Sequence, residues 1–276
     1  MPGDPETVLT GLFGLEGKVA LVTGGGSGLG YAFCSILADA GAHVVVADVD
    51  AARASKAAAE LSASGSAESL VLDVADRSAV DAAVDGIVRD HGRLDIAFAN
   101  AGIARGTPPL VASGYIDEFG LEDYNALIDV NLHGVVYTTR GAARVMKKQR
   151  SGSIVATAST AGLRNDPFVP YSYAIAKAGV VNLVKQAAHD LARWNVRVNA
   201  IAPGPFKTNL GGGGPTSASA EERWKAVIPL GRMGDPKEIR GLALLLASDA
   251  SSFMTGGVYP IDGGALLQGP SLPPPG

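Results

Sequence analysis

The strongest constraint on this 276-residue chain is an alternation that runs almost from end to end. Short β-branched runs are separated by alanine- and leucine-rich stretches with apolar residues three and four apart. Lys18–Thr23, His43–Asp48, Ser69–Asp73, Leu94–Asn100, Ser153–Ser159, Val196–Ile201 and Gly257–Ile261 read as strands. Several are apolar at every position, as strands covered on both faces must be. Leu29–Ala40, Ala51–Ser62, Ala79–Asp90, Tyr171–Arg193 and Pro236–Ala247 read as helices. Strand–helix alternation specifies an α/β fold: a doubly wound parallel sheet, here of about seven strands, with right-handed crossovers and helices on both faces. No linker or composition break divides the pattern. One domain over residues 15–267 is therefore expected, with an N-terminal extension at 1–14 and a flexible tail at 268–276. Ile103–Gly120 and Thr208–Ser219 interrupt the alternation as long loops, the latter before a short helix at Ala220–Val227.

Glycine is abundant, 36 residues in all, and its placement gives it meaning. Thr23-Gly-Gly-Gly-Ser-Gly-Leu-Gly30 follows the first strand and opens the first long helix. Gly24, Gly28 and Gly30 suit a tight turn, amides aimed at a pyrophosphate, and close helix–strand packing. A merely flexible turn is the plainer reading, but the strand–loop–helix context favours a dinucleotide. Asp48 ends the second strand, 18 residues after Gly30. A carboxylate there accepts hydrogen bonds from ribose hydroxyls and repels a 2′-phosphate, which favours NAD over NADP. No Arg or Lys stands at positions 49 or 50 or within the glycine loop. The alternative for Asp48 is a helix N-cap.

Tyr173 and Lys177 lie four apart on a helical stretch and so share a face. An ammonium beside a phenol favours the phenolate, making Tyr173 a candidate general acid/base. A solvated surface pair is the bland alternative. Tyr171 has Ile175 where a lysine would be needed.

Other function classes are disfavoured. The net charge of −4 leaves no footprint for nucleic acid. Cys34 lies among apolar helix neighbours and reads as a core thiol. His43, His91, His133 and His189 show no ligand spacing, so no metal site is expected. No apolar run is long enough for a membrane span. The N-terminus does not resemble a signal peptide, and a soluble, cytoplasmic protein is expected.

With these motifs in view, the chain resembles the short-chain dehydrogenases/reductases from about Leu15 to Leu267. Thr23–Gly30 is similar to their TGxxxGxG loop, and Ala99-Asn100-Ala101-Gly102 to their NNAG motif with Ala99 in the first position. Asn131 resembles the helix asparagine of the catalytic tetrad, Ser159 its serine, and Tyr173 and Lys177 its YxxxK. Pro203-Gly204 with Thr208, and Ile261-Asp262-Gly263-Gly264, resemble the later family motifs. Ser159 stands 14 residues before Tyr173, one more than is usual, which leaves Thr160 as the alternative serine equivalent.

The resemblance implies a single-domain Rossmann fold and hydride transfer between a nicotinamide and a carbinol or carbonyl carbon. Tyr173 would move the hydroxyl proton and Ser159 would hold the substrate oxygen. Lys177 would lower the Tyr173 pKa and bind the nicotinamide ribose, and Asn131 would hold a water at a local break in its helix. Ser27 and Leu29 would meet the pyrophosphate, while Asp73 and Val74 would flank the adenine; Asp73 as a turn acid is the alternative. Asn100, Ala101 and Gly102 would line the ribose. Pro203 and Gly204 carry the motif that leads to Thr208, which would bind the carboxamide. A homotetramer is implied, built through two long helices and the C-terminal strand region. The basic residues Arg140, Arg144, Lys147, Lys148 and Arg150 read as a solvated helix face, or as a dock for an acidic carrier protein. The expected activity is an NAD-dependent secondary-alcohol dehydrogenase acting on cyclic, aromatic or terpenoid/steroid-like substrates. A 3-oxoacyl-carrier-protein reductase and a catalytically silent NAD sensor are the alternatives.

Overall fold

The computed structural model describes residues 5–63, 65–208, 221, 222, 224 and 226–267. Seven parallel strands form one sheet: β1 (Val19–Thr23), β2 (His43–Asp48), β3 (Ser66–Val71), β4 (Ile96–Ala99), β5 (Gly152–Thr157), β6 (Val196–Pro203) and β7 (Val258–Ile261). Their order is β3-β2-β1-β4-β5-β6-β7. The direction of winding reverses between β1 and β4, and in such sheets ligands bind outside the strand C-termini at that point.

The helices are α1 (Pro5–Phe13), α2 (Gly28–Asp39), α3 (Ala51–Leu61), α4 (Arg77–His91), α5 (Leu121–Ile128), α6 (Gly134–Gln149), α7 (Tyr171–Leu191) and α8 (Arg240–Ala247). Strand residues feed two cores alternately, because successive side chains point to opposite faces. Val19 and Leu21 of β1 join the core beneath α4, α6 and α7. Ala20 and Val22 join the one beneath α2, α3 and α8. Two aspartates start helices as N-caps: Asp50 accepts from the amides of Ala52 and Arg53, and Asp76 from those of Ser78 and Ala79.

Most element boundaries shift by one or two residues from expectation, and three elements differ for a clear physical reason. β3 begins at Ser66 rather than Ser69 and ends before Asp73. It is an edge strand with mostly exposed residues, so pairing to β2, not an apolar run, fixes its limits; the apolar signal came partly from Leu72, which is buried just past it. The helix expected from Pro236 opens as a 3₁₀ turn over Pro236–Ile239, with Asp235 and Glu238 forming a capping box, before α8 begins. The helix expected to reach Arg193 ends at Leu191, followed by a 3₁₀ turn to Trp194. Within the expected N-terminal extension, α1 is helical and lies against the 249–251 turn. The expected flexible tail, most of the Thr208–Ser219 loop and part of the helix after it lie outside the described residues.

Candidate active site

The C-terminal ends of β1, β4, β5 and β6 carry the site. β1 runs directly into the glycine loop, where Gly24 and Gly28 adopt φ of +65° and +56°. Packing also demands the missing side chains: a Cβ on Gly24 would lie 2.9 Å from Ala101 Cα, and one on Gly30 only 2.0 Å from the Gly24 carbonyl oxygen. Ser27 is the N-cap of α2 in extended conformation, and its side chain makes no capping bond. The loop thus presents a helix N-terminus in a form suited to an anion. Leu29 packs its side chain against the α2-side core, which leaves its backbone for any ligand contact.

Asp48 is buried, with one oxygen accepting from the Gly26 amide (3.1 Å) and the other from the Asp50 amide (3.0 Å). It is therefore not the α3 cap; Asp50 is. An ionised carboxylate has about four acceptor positions, so capacity for ribose hydroxyls remains. Beside it stands Arg53, which sequence inspection passed over because it lies one helical turn beyond the positions considered. A Cβ on Gly26 would lie 2.8 Å from Arg53 Cβ, and the guanidinium pairs with Asp50 at 3.2 Å.

A second set of bonds ties the strand ends together. The Asn100 side-chain amide donates to the Thr23 carbonyl (2.9 Å), and its oxygen accepts from the Thr157 hydroxyl (3.0 Å). The Thr23 hydroxyl accepts from the amides of Asn100 (3.0 Å) and Ala101 (3.2 Å). The carbonyl of Thr157 accepts from Lys177 Nζ at 2.7 Å. Thr23 and Thr157 thus belong to the site's scaffold, although only the motif around Thr23 drew notice in the sequence.

Asn131 lies in a π-helical turn, Asp129–His133, between α5 and α6. Its carboxamide is fully buried and clasps the Ile103 backbone, accepting from its N–H (2.8 Å) and donating to its C=O (2.9 Å). A Cβ on neighbouring Gly102 would sit 3.5 Å from Asn131 Oδ1. Asp73 is exposed and closes a turn by accepting from the Ala75 amide at 2.9 Å, the turn role weighed as its alternative. Val74 is buried against Gly134. Pro203 ends β6, and Gly204 donates to the Ile261 carbonyl, joining the two late motifs. Thr208 faces the glycine loop, its Cβ 3.6 Å from where a Gly28 Cβ would lie.

Ser159, just past β5, accepts from the Ala161 amide (3.2 Å), and its side chain hydrogen-bonds to the Tyr173 phenol. Thr160 instead lies buried in the following 3₁₀ turn. Lys177 Nζ is 5.7 Å from the Tyr173 ring centroid. In the protein alone the Tyr173 phenol stands above the ordinary tyrosine range. Burial raises it, the Ser159 bond opposes that rise, and nearby Asp166 adds to it. Burial also pulls Lys177 down to about 8. Desolvation disfavours the charged form of each group.

Cys34 is fully buried beneath the glycine loop, and burial pushes its thiol well up, as a core thiol requires. The basic residues are less free than a solvated face implies. Arg140 pairs with Asp81 (2.9 Å) and Arg144 with Asp85 (2.7 Å), while Lys147 and Arg150 lie over the Trp194 ring. Arg150 lies two residues before β5 begins whereas Ser159 follows its end, so that end of the cluster and the site are separated by the strand's length, roughly 20 Å. Arg140, by contrast, lies only two turns into α6, whose start follows the turn that carries Asn131.

The chain as a whole has counterparts among known proteins. Residues 24–265 match the family model described as enoyl-(acyl carrier protein) reductase. The 3-oxoacyl-[acyl-carrier-protein] reductase of Thermotoga maritima is 39% identical over 254 residues, covering 92% of this chain and 99% of that protein. A short-chain type dehydrogenase/reductase from Mycobacterium marinum superposes with a TM-score of 0.85 at 38% identity, over 92% of this chain and 97% of the other. The NADPH-dependent 3-quinuclidinone reductase from Rhodotorula rubra gives 0.84 at 36% identity, over 97% and 98%.

Proposed function

The chain belongs to the short-chain dehydrogenase/reductase family, and on that premise we propose that it works chiefly as a ketone reductase, with Ser159, Tyr173, Lys177 and Asn131 as its catalytic set. Membership makes it an NAD(P)-dependent oxidoreductase that interconverts an alcohol and a ketone. The reductase names of the Thermotoga and Rhodotorula relatives support the proposed direction, and the observation that carries the catalytic set is Tyr173 placed beside Ser159 with Lys177 under its ring. A protonated phenol is the acid that a carbonyl oxygen needs as it gains charge. Ser159 holds that oxygen beside the phenol, and Lys177, anchored on the Thr157 carbonyl, lies under the ring. Asn131 acts by fixing the Ile103 loop at the mouth.

The residues fit a dinucleotide: the glycine cradle tolerates no side chains, and the buried Asp48 carboxylate keeps acceptor capacity. Gly24, Ser27, Gly28, Leu29 and Gly30 would hold the pyrophosphate and Asp48 the adenosine ribose. Asp73 and Val74 would lie by the adenine. Asn100, Ala101, Gly102 and Lys177 would meet the nicotinamide ribose, and Thr208, beyond Pro203 and Gly204, the carboxamide. When bound, the nicotinamide supplies or accepts the hydride. Asp48 favours NAD(H); the NADPH dependence of the 3-quinuclidinone reductase and the proximity of Arg53 weigh the other way.

For the substrate, a 3-oxoacyl thioester is the leading reading, supported by the Thermotoga relative and its almost complete coverage. It displaces the cyclic, aromatic or terpenoid alcohol expected from loop composition, which stays as the second reading on the strength of the quinuclidinone reductase. The exposed Leu110, Val111, Leu163 and Phe168 give an apolar mouth suited to either class. The test is oxidation of NADH and NADPH with acetoacetyl thioesters and with cyclohexanone, wild type beside Tyr173→Phe. Thioester reduction lost in the variant supports the proposal, and reduction of the cyclic ketone alone moves it to the second reading. A clear preference for NADPH overturns the reading of Asp48. Tight cofactor binding without turnover on any carbonyl would favour a silent sensor.

A further inference from the structure

The fold brings together three residues that the sequence scatters. His43 opens β2, Glu68 lies on the paired edge strand β3, and His91 ends α4. They cluster at the strand N-termini, the opposite end of the sheet from the candidate active site; along β2 alone, His43 is about 16 Å from Asp48. One ligand atom from each of the three lies within 4.8 Å of the others. His91 Nε2 is 2.8 Å from Glu68 Oε1, and His43 Nε2 is 3.6 Å from the same oxygen. The imidazole rings are 4.3 Å apart.

Two details point to a ligand rather than to a chance surface cluster. His43 Nε2 is buried and has no hydrogen-bond partner among the described residues, although it faces a carboxylate. Its other nitrogen, Nδ1, is engaged by the Ser66 hydroxyl at 2.6 Å. A proton on Nδ1, donated to Ser66, leaves a bare Nε2 lone pair facing Glu68, and a cation between them relieves that opposition. Outer hydrogen bonds of this kind fix the tautomer and ring orientation of metal-binding histidines.

We propose that His43, Glu68 and His91 form a site for a first-row divalent cation, with Zn²⁺ the best match. Two imidazoles and one carboxylate are a common zinc set, the fourth position going to water. Tetrahedral bonds of about 2.0–2.2 Å place ligand atoms roughly 3.3–3.5 Å apart. The His43–Glu68 separation already fits, the His91–Glu68 pair opens slightly, and the two histidines close on the ion. Such an ion ties the edge strand β3 to β2 and α4, so its role is structural, remote from hydride transfer. The absence of ligand spacing in the sequence is no obstacle, because the ligands meet through strand pairing and not along one helix or loop.

The experiment titrates tag-free, chelator-treated protein with Co²⁺, whose visible absorption reports tetrahedral coordination, and follows thermal unfolding with and without Zn²⁺. Wild type is expected to take up one equivalent per chain and to gain several degrees in Tm. Glu68→Gln, His91→Gln and His43→Gln are each expected to bind at least tenfold more weakly and to lose the Tm gain. Circular dichroism checks that these variants are folded, and the ketone-reductase rate of His91→Gln should match wild type. His133→Gln, which removes the exposed His133–Asp129 pair, should bind like wild type. No saturable uptake by wild type, or uptake that survives His91→Gln, overturns the site.

Discussion

Tyr173 and Lys177 show how one environment acts in opposite senses on an acid and a base. Burial raises the pKa of the phenol and pulls that of Lys177 down to about 8. Replacing Tyr173 with Phe removes the acid and leaves the scaffold; kcat should fall about 10²–10⁴-fold while cofactor binding, followed by NADH fluorescence, stays near wild type. The lysine gives a stability signature. Below about pH 8 both folded and unfolded forms carry the charge, and the folded form bears the cost of burying it. Between about 8 and the ordinary lysine value of 10.5 the folded form loses its proton first. The unfolded form then binds more protons, so stability rises with pH across that window. Urea unfolding at pH 7.5 and pH 10 should show wild type gaining on Lys177→Met, by on the order of 3 kcal/mol for full relief. The spacing of these two residues was legible in the chain, but the direction of their pKa shifts was not, because burial depends on what the rest of the molecule packs over them.

Among the elements, the π turn between α5 and α6 is the least regular and the most committed. It turns Asn131 into a double clasp on Ile103. Asn131→Ala would leave the part-buried Ile103 N–H and C=O without their partner, and should show in urea denaturation as a loss of about 1–2 kcal/mol. The start of α2 is equally intolerant. Gly30→Ala would set its methyl 2.0 Å from the Gly24 oxygen, so the loop must shift, and affinity for NADH should fall more than tenfold in a fluorescence titration. Most elements could be read from periodicity, since a covered strand or an amphipathic helix writes its environment into its own sequence. β3 could not, since its exposed edge residues carry no such pattern and its limits come from pairing with β2.

For the whole molecule, the outer surface of α6 and α7 forms a groove whose apolar floor, including Val136, Leu183 and Trp194, is rimmed by the basic cluster Arg140, Arg144, Lys147 and Lys148, and Phe253 stands fully exposed before β7. These apolar surfaces fit the expected homotetramer. Light scattering should give four times 28.0 kDa, about 112 kDa, and a monomer at micromolar concentration would refute it. No helix among the described residues is long and apolar enough to cross a membrane. The sequence by itself determined the parallel sheet, its two covering layers and the motifs at the strand C-termini, because these depend on periodicity and on spacing within single strand–loop–helix units. Only the tertiary structure decided that Asp50 and not Asp48 caps α3, that Arg53 stands beside the glycine loop, and that the Arg150 end of the basic cluster lies a strand's length from the site. It alone also gathered His43, Glu68 and His91. Those facts depend on strand order and register, which set distances between residues far apart in the chain and leave no local trace in it.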